Sequence, residues 1–363
     1  MTNVLLNSIF IGVCNFLFVF IAIPFLRSYL IRSKRVETPN HRSSHSIPVP
    51  SLGGVMFVPF VLFLLIFSAN WEMSLNVYLP LLLLGMLGLF DDLRDMKARY
   101  KFLMQIGIAT LLWFGGFSII GFFKIFGVQL DFWLFDFLFT LMFIVGSVNA
   151  FNLIDGIDGL ASGILIINAI VFAVLFYLLD EMVFFYLSIG IGAGTCAFLI
   201  YNFQPAKIFM GDTGSLLLGG FVTIAFLKIL ETNSPQFIAI ALTVLLFPML
   251  DLIRLFIGRS IIWKEPFKAD KNHYHHLLLK LKWNHRRTTL LIYGLHAAIV
   301  IVTVVLSSFL PCITCIFISV ALCILFYALV QFLYAYRNKR NIHELKNAIK
   351  DQTEDNYLLN KHL

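Results

Sequence analysis

Apolar residues run along this chain in blocks as long as a bilayer core is thick, with polar residues confined to the stretches between them. The blocks fall at 5–26, 52–69, 75–90, 102–121, 132–150, 160–179, 182–201, 215–231, 236–253, 289–309 and 312–336. Backbone groups in hydrocarbon must be satisfied internally, and blocks of ~20 residues are twice what a barrel strand needs, so the pattern predicts helices. The expected fold is all-α: about eleven transmembrane helices in a single membrane domain over 1–336, followed by a polar tail at 337–363. The first block has no short charged region before it and no A-x-A site after it, so it is expected to stay as an anchor and not to be cleaved.

Composition agrees, with 60% hydrophobic and only 13% charged residues, and excludes an ordinary soluble domain. Charge then orients the chain. Of the 27 Lys and Arg residues, all but Lys124 and Lys228 fall in one of the two alternating sets of connections: 27–51, 91–101, 202–214, 254–288 and the tail. The positive-inside rule assigns that set to the cytoplasm, with the amino terminus outside and the carboxyl terminus inside. The net charge of +7 follows from this bias and from attraction to anionic headgroups, so the bilayer and not nucleic acid is the expected partner. Cys14, Cys196 and Cys323 lie within spans as small apolar residues, and Cys312 and Cys315 form a CxxC at an outer boundary that neither a second pair nor the surrounding pattern supports as a redox site.

The polar chemistry gathers in the same inward set. TPNHRSSHSIPVPSLGG (38–54), LFDDLRDMKARYK (89–101), NAFNLIDGIDGLA (149–161), FMGDTGS (209–215) and DKNHYHHLLLK (270–280) all lie there, whereas the outer connections NWEMS and ETNSPQ carry nothing comparable. Any one of these reads as a solvated loop; together, on one side of the membrane, they predict a shared cytoplasmic site opening between helices. Asp91, Asp92, Asp95, Asp155, Asp158 and Asp212 offer hard oxygen donors and Asn152 a neutral one, an inventory that suits Mg²⁺ or Mn²⁺ and not zinc. Mg²⁺ keeps several waters and takes few protein carboxylates beside substrate phosphates, which makes a phosphate ligand the natural complement. In GDTGS, Gly211 and Gly214 permit close approach of the backbone, and Thr213 or Ser215 is expected to cap a helix whose positive end favours phosphate. Arg94, Lys97, Arg99, Lys101, Lys271, His273, His275 and His276 form the basic side of the expected site.

These motifs, in this order and over nearly the whole chain, resemble the polyprenyl-phosphate N-acetylhexosamine-1-phosphate transferases of glycosyltransferase family 4. That group includes the initiators of O-antigen, enterobacterial common antigen and teichoic acid synthesis, and the phospho-MurNAc-pentapeptide transferase of peptidoglycan synthesis. The resemblance implies transfer of a sugar 1-phosphate from a UDP-N-acetylhexosamine to undecaprenyl phosphate at the bacterial inner membrane, releasing UMP, with Mg²⁺ as cofactor. It implies metal ligation by Asn152 and Asp212, catalytic roles for Asp91, Asp92, Lys101, Asp155 and Asp158, and substrate contacts from Asn149, Gly211, His273, His275 and His276. The HYHH form is similar to the initiators and points to a simple donor, with GlcNAc first. Ser43 and Ser51 depart from the family pattern, where Lys and Arg are frequent. A homodimer is left open. Two rival classes fit less well: a secondary transporter would place its acids near mid-membrane in broken helices of repeated halves, and a prenyltransferase would not account for GDTGS together with the histidine loop.

Overall fold

The computed structural model describes residues 2–36, 48–68, 70–129, 132–232, 234–261 and 273–361, apart from the side chains at 2, 258–261, 274–275 and 340–361. Arg42, Ser43, Lys271 and the side chain of His275 therefore lie outside the described residues. Among the described residues every element is a helix: α1 (Thr2–Arg32), a 3-10 turn (Gly53–Phe57) leading into α2 (Val58–Phe67), α3 (Trp71–Met73) continuing through a π turn into α4 (Leu79–Arg94), α5 (Ala98–Phe114), the short α6 (Ile120–Ile125) and α7 (Trp133–Ile154). There follow α8 (Leu160–Leu178), α9 (Met182–Asn202), α10 (Gly211–Glu231), α11 (Pro235–Ile261), the short α12 (Tyr274–Lys280), α13 (His285–Ser307) and α14 (Cys312–Lys361).

Among the described residues, nine helices are long and apolar enough to cross a membrane, which makes this a multi-pass membrane protein. Two of the eleven expected blocks yield shorter elements. Block 52–69 becomes Gly53–Phe67, which splits into the 3-10 turn and α2, and the chain beyond turns at Ser68 so that the Asn70 carboxamide caps α3 by accepting from Met73 N (3.1 Å). Block 102–121 becomes α5, 17 residues or about 25 Å long, and stops at Gly115 and Gly116, the latter with φ +93°.

The fold is organised around α10. Almost all of this helix is buried, in contact with α4, α7, α8, α11 and the 3-10 turn. Close packing in lipid relies on small residues, because the tails outside are as apolar as the side chains inside. Gly88 of α4 shows this: a Cβ there would come within 2.2 Å of the Asp212 carbonyl oxygen, so the two backbones touch where α4 ends and α10 begins. The carboxyl ends of α4 and α7 and the amino ends of α8 and α10 thus converge at one end of the bundle. On its flank, α12 buries Leu277 and Leu278 beside α13 and α14, and Arg337 donates to the Leu281 carbonyl (2.5 Å) just beyond it.

Candidate active site

Asp95, in the left-handed region (φ 49°), terminates α4, and the Asp91 carboxylate secures the turn by accepting from Met96 N (2.7 Å). This leaves the other Asp91 oxygen pointing at Lys101 in the first turn of α5, 2.8 Å away. The same ammonium also contacts the Asp212 carboxylate in the first turn of α10. Burial alone would pull Lys101 down, but the Asp212 and Asp91 carboxylates outweigh it and hold the ammonium above its ordinary value, so Lys101 is a fixed cation. The other Asp212 oxygen accepts from Asn152 Nδ2 (2.7 Å), which also donates to Ser215 Oγ (2.8 Å). Three stretches separated by tens of residues are thereby tied into one knot.

Asp92 is used differently. Its carboxylate accepts from the backbone N–H groups of Asp212 (2.8 Å) and Thr213 (2.9 Å) and from Thr213 Oγ1 (2.6 Å). These are the amides that a helix leaves unsatisfied at its amino end, so the expectation that Thr213 or Ser215 caps α10 is corrected: an acid from α4 caps it from outside. Gly211 makes room, with φ +72° and a position where a Cβ would meet Asp92 Oδ2 at 2.8 Å. The positive helix end expected to face a phosphate is already occupied by this side chain.

NAFNLIDGIDGLA forms the end of α7, a turn, and the start of α8 at Leu160, which follows Gly159 in the left-handed region (φ 76°). The turn carries Asp155 and Asp158. Asp158 accepts from Ala206 N (3.1 Å), and His285 Nδ1 lies 3.6 Å from its other oxygen. Asp92, Asn152, Asp155, Asp158, Gly211 and Asp212 line a cavity of about 230 Å³, with Ser51 on its wall. Asp91 and Lys101 join it through Asp212.

Not every expected residue comes here. Asn149, one turn before Asn152, donates to Gln105 Oε1 (2.8 Å) and to the Val145 carbonyl (2.7 Å), joining α7 to α5 away from the cavity lining. Arg94, Lys97 and Arg99 are exposed, and Arg99 lies over the Tyr100 ring. His273 is buried and forms a separate centre, with Nδ1 2.9 Å from an Asp251 oxygen; the other Asp251 oxygen accepts from Arg254 Nη2 (3.0 Å). His276 is near, with ring centroids 6.3 Å apart. Asp251, Arg254, Gln105 and His285 were not singled out in the sequence. A signal for Asp251 existed, since a lone carboxylate inside an apolar helix marks a functional position.

The donor set fits a hard divalent ion. No group of three or more His, Cys, Asp or Glu among the described residues is arranged to hold a metal, but Mg²⁺ does not need one when a substrate supplies phosphate oxygens. One carboxylate, Asp212, beside one carboxamide, Asn152, at the wall of a polar cavity is what that mode of binding asks for.

A family model, that of glycosyl transferase family 4, matches residues 74–230, from the start of the π turn to the end of α10. A probable undecaprenyl-phosphate N-acetylglucosaminyl 1-phosphate transferase of Bacillus subtilis (strain 168) is 34% identical over 312 residues, covering 82% of this chain and 84% of that protein. The chain belongs to glycosyl transferase family 4. Two further relatives extend the comparison. An undecaprenyl-phosphate alpha-N-acetylglucosaminyl 1-phosphate transferase of Thermotoga maritima is 32% identical over 254 residues, covering 69% of this chain and 76% of its own length. A phospho-N-acetylmuramoyl-pentapeptide-transferase of Listeria monocytogenes serotype 4b is 30% identical over 315 residues, covering 80% and 96%. The stretch matched by the family model contains Asp91, Asp92, Lys101, Asn152, Asp155, Asp158 and Asp212, the residues brought together at the cavity, but not His273.

Proposed function

We propose that this protein transfers N-acetylglucosamine 1-phosphate from UDP-GlcNAc to undecaprenyl phosphate, releasing UMP, as the first membrane step of a cell-surface polysaccharide. The observation that carries the reading is the Asp91–Lys101–Asp212–Asn152 knot beside an acidic cavity, in a chain similar at 34% and 32% identity to two proteins named for that donor sugar. The Lys and Arg bias of the connections around this end supports a cytoplasmic active site in a bacterial inner membrane, with the amino terminus outside.

Both substrates are anionic, so the site's first task is to bring them together against repulsion. An acceptor phosphate monoester has a second pKa near ~6 and is largely dianionic at neutral pH, which makes it a competent nucleophile without a strong base. One of its oxygens attacks the β-phosphorus of the donor; the bond from that phosphorus to the bridging oxygen breaks, and the electron pair leaves on UMP. Lys101 meets the diphosphate as a fixed cation, and Asp91, bonded to that ammonium, orients the acceptor or takes its residual proton. Asp92 holds the first turn of α10 in place, and with it Asp212. Asp212 and Asn152 would hold Mg²⁺, which when bound would neutralise charge on the diphosphate. Asp155 and Asp158 bound the donor side of the cavity.

The test is incubation of purified protein with undecaprenyl phosphate, Mg²⁺ and one donor at a time, with the lipid product identified by mass. A lipid-linked diphospho-GlcNAc is the expected product. A product only from UDP-MurNAc-pentapeptide would place this protein with the Listeria relative's activity, and no product from any UDP-N-acetylhexosamine would reject the reading.

A further inference from the structure

Asp251 lies in α11, three residues after Pro248, in a stretch that otherwise reads as lipid-facing or core, and its side chain is 3% exposed. An unpaired carboxylate there would be strongly unfavourable, yet this one is engaged on both oxygens: Arg254 Nη2 at 3.0 Å from one and His273 Nδ1 at 2.9 Å from the other. Arg254 is held in turn, its guanidinium over the Tyr327 ring of α14 at 4.5 Å from the centroid. The network thus joins α11 and α14 to the residue just before α12, and it terminates on the first histidine of HYHH.

We infer that Asp251 is a positioning residue that fixes the ring orientation and the tautomer of His273. A carboxylate accepts only, so Nδ1 must carry the hydrogen, and the imidazole then presents Nε2 on its opposite edge, as acceptor when neutral and as donor when protonated. Burial of His273 at 6% exposure limits rotation of the ring out of this pose. Carboxylates hold working histidines in this way at metal and nucleophilic sites, where the partner sets which nitrogen is available. The arrangement gives the histidine loop a fixed anchor inside the bundle, and it rests on the proposed function only in giving His273 a substrate to meet.

Three measurements test it. Asp251→Ala should lower transfer roughly 10- to 100-fold, the range seen when carboxylates that orient metal-binding histidines are removed, with Asp251→Asn retaining more, since its carbonyl oxygen still accepts from Nδ1. The double variant Asp251→Ala/His273→Ala should fall no further than His273→Ala alone, because one residue acts through the other. Loss by the product of the two single effects would mean independent structural damage and would overturn the inference. The third readout needs no turnover: ¹⁵N spectra of histidine-labelled protein, with the His273 signals assigned by their loss in His273→Gln, should show Nδ1 protonated in the parent and a shifted tautomer balance in Asp251→Ala. Unchanged His273 signals would also overturn it. Should the parent transfer no sugar phosphate at all, the proposed function fails and the spectra still decide the role of Asp251.

Discussion

Lys101 spans Asp91 and Asp212, joining the first turn of α5 to the end of α4 and the start of α10 with one ammonium. Removing it leaves two carboxylates facing each other with no fixed cation. Lys101→Met is expected to reduce transfer by at least about 100-fold, the scale for loss of a preorganised group that stabilises transition-state charge, and Lys101→Arg should restore only part of it. Initial rates at saturating donor, compared among the three proteins, check this.

The same ion pairs set a pH dependence. The folded-state pKa of Lys101 lies above the ordinary lysine value of 10.5, so the stability it contributes is fully present below that value and is lost only as pH rises through the raised folded value. The difference in unfolding midpoint between parent and Lys101→Arg, whose guanidinium stays charged throughout, should therefore stay constant from about pH 7 to 9. A difference that grows across that interval would refute the fixed-cation assignment.

Asp92 should reveal a structural duty. Asp92→Ala strands two backbone amides and a hydroxyl at the start of α10, which at about 1–3 kcal/mol for a buried unsatisfied group is a large part of a helix end's stability. The expected outcome is a lowered unfolding midpoint together with lost activity. Asp91→Ala should lose activity with a smaller change in midpoint. Scanning fluorimetry beside the transfer assay separates the two neighbours.

Gly88→Ala places a methyl group 2.2 Å from the Asp212 carbonyl oxygen, which only a displacement of backbone relieves. Overpacking costs about 1–3 kcal/mol, and here the strain falls on the turn that carries Asp212. Activity should fall more steeply than stability, since a small shift of Asp212 misaligns the knot while the bundle survives. Equal activity in Gly88→Ala and the parent would show that the contact is slack.

Direct attack by the acceptor predicts that purified, lipid-free enzyme exchanges no labelled UMP into the UDP-sugar until undecaprenyl phosphate is added. An aspartyl intermediate at Asp91 would set an anionic carboxylate on an anionic diphosphate beside Asp92 and Asp212. Exchange without acceptor, or a trapped phosphorylated Asp91, would establish the two-step path.

Topology is open to a chemical test at exposed positions. With the five native cysteines replaced by Ser, single cysteines at Glu72 and Asp180 should react with an impermeant reagent in intact cells, and those at Lys97 and Lys282 should not. Reversal of the pattern would turn the proposed orientation over.

Much of the site was legible in the sequence because its motifs are local. DD followed by Lys101 ten residues later, Asn152 on a helix end and Asp212 after a glycine all carry their chemistry in short words, and the structure brings them to one cavity or to its edge. What the sequence did not disclose depends on pairing at a distance. Asp92 and the amides of α10 are separated by 120 positions, Asn149 finds Gln105 across 44, and Asp251 meets His273 across 22. The resemblance implies a substrate contact for Asn149, and the structure shows its carboxamide bonded to Gln105 of the neighbouring helix. The span pattern matches the helices where apolar blocks are uninterrupted, and at 52–69 and 102–121 the helices are shorter than the blocks, stopped by Ser68 with Asn70 and by Gly115 with Gly116.

The depth of α10 has a consequence for how this protein can diversify. Its first turn is wedged between Gly88 and Asp92 with no slack, so the reacting phosphates meet a template that cannot be remodelled piecemeal. Variation in the group transferred is then to be sought away from this turn, while the phosphorus chemistry stays invariant beside it. A substitution in the hub should slow every donor alike, and only a change in the periphery should alter the preference among them.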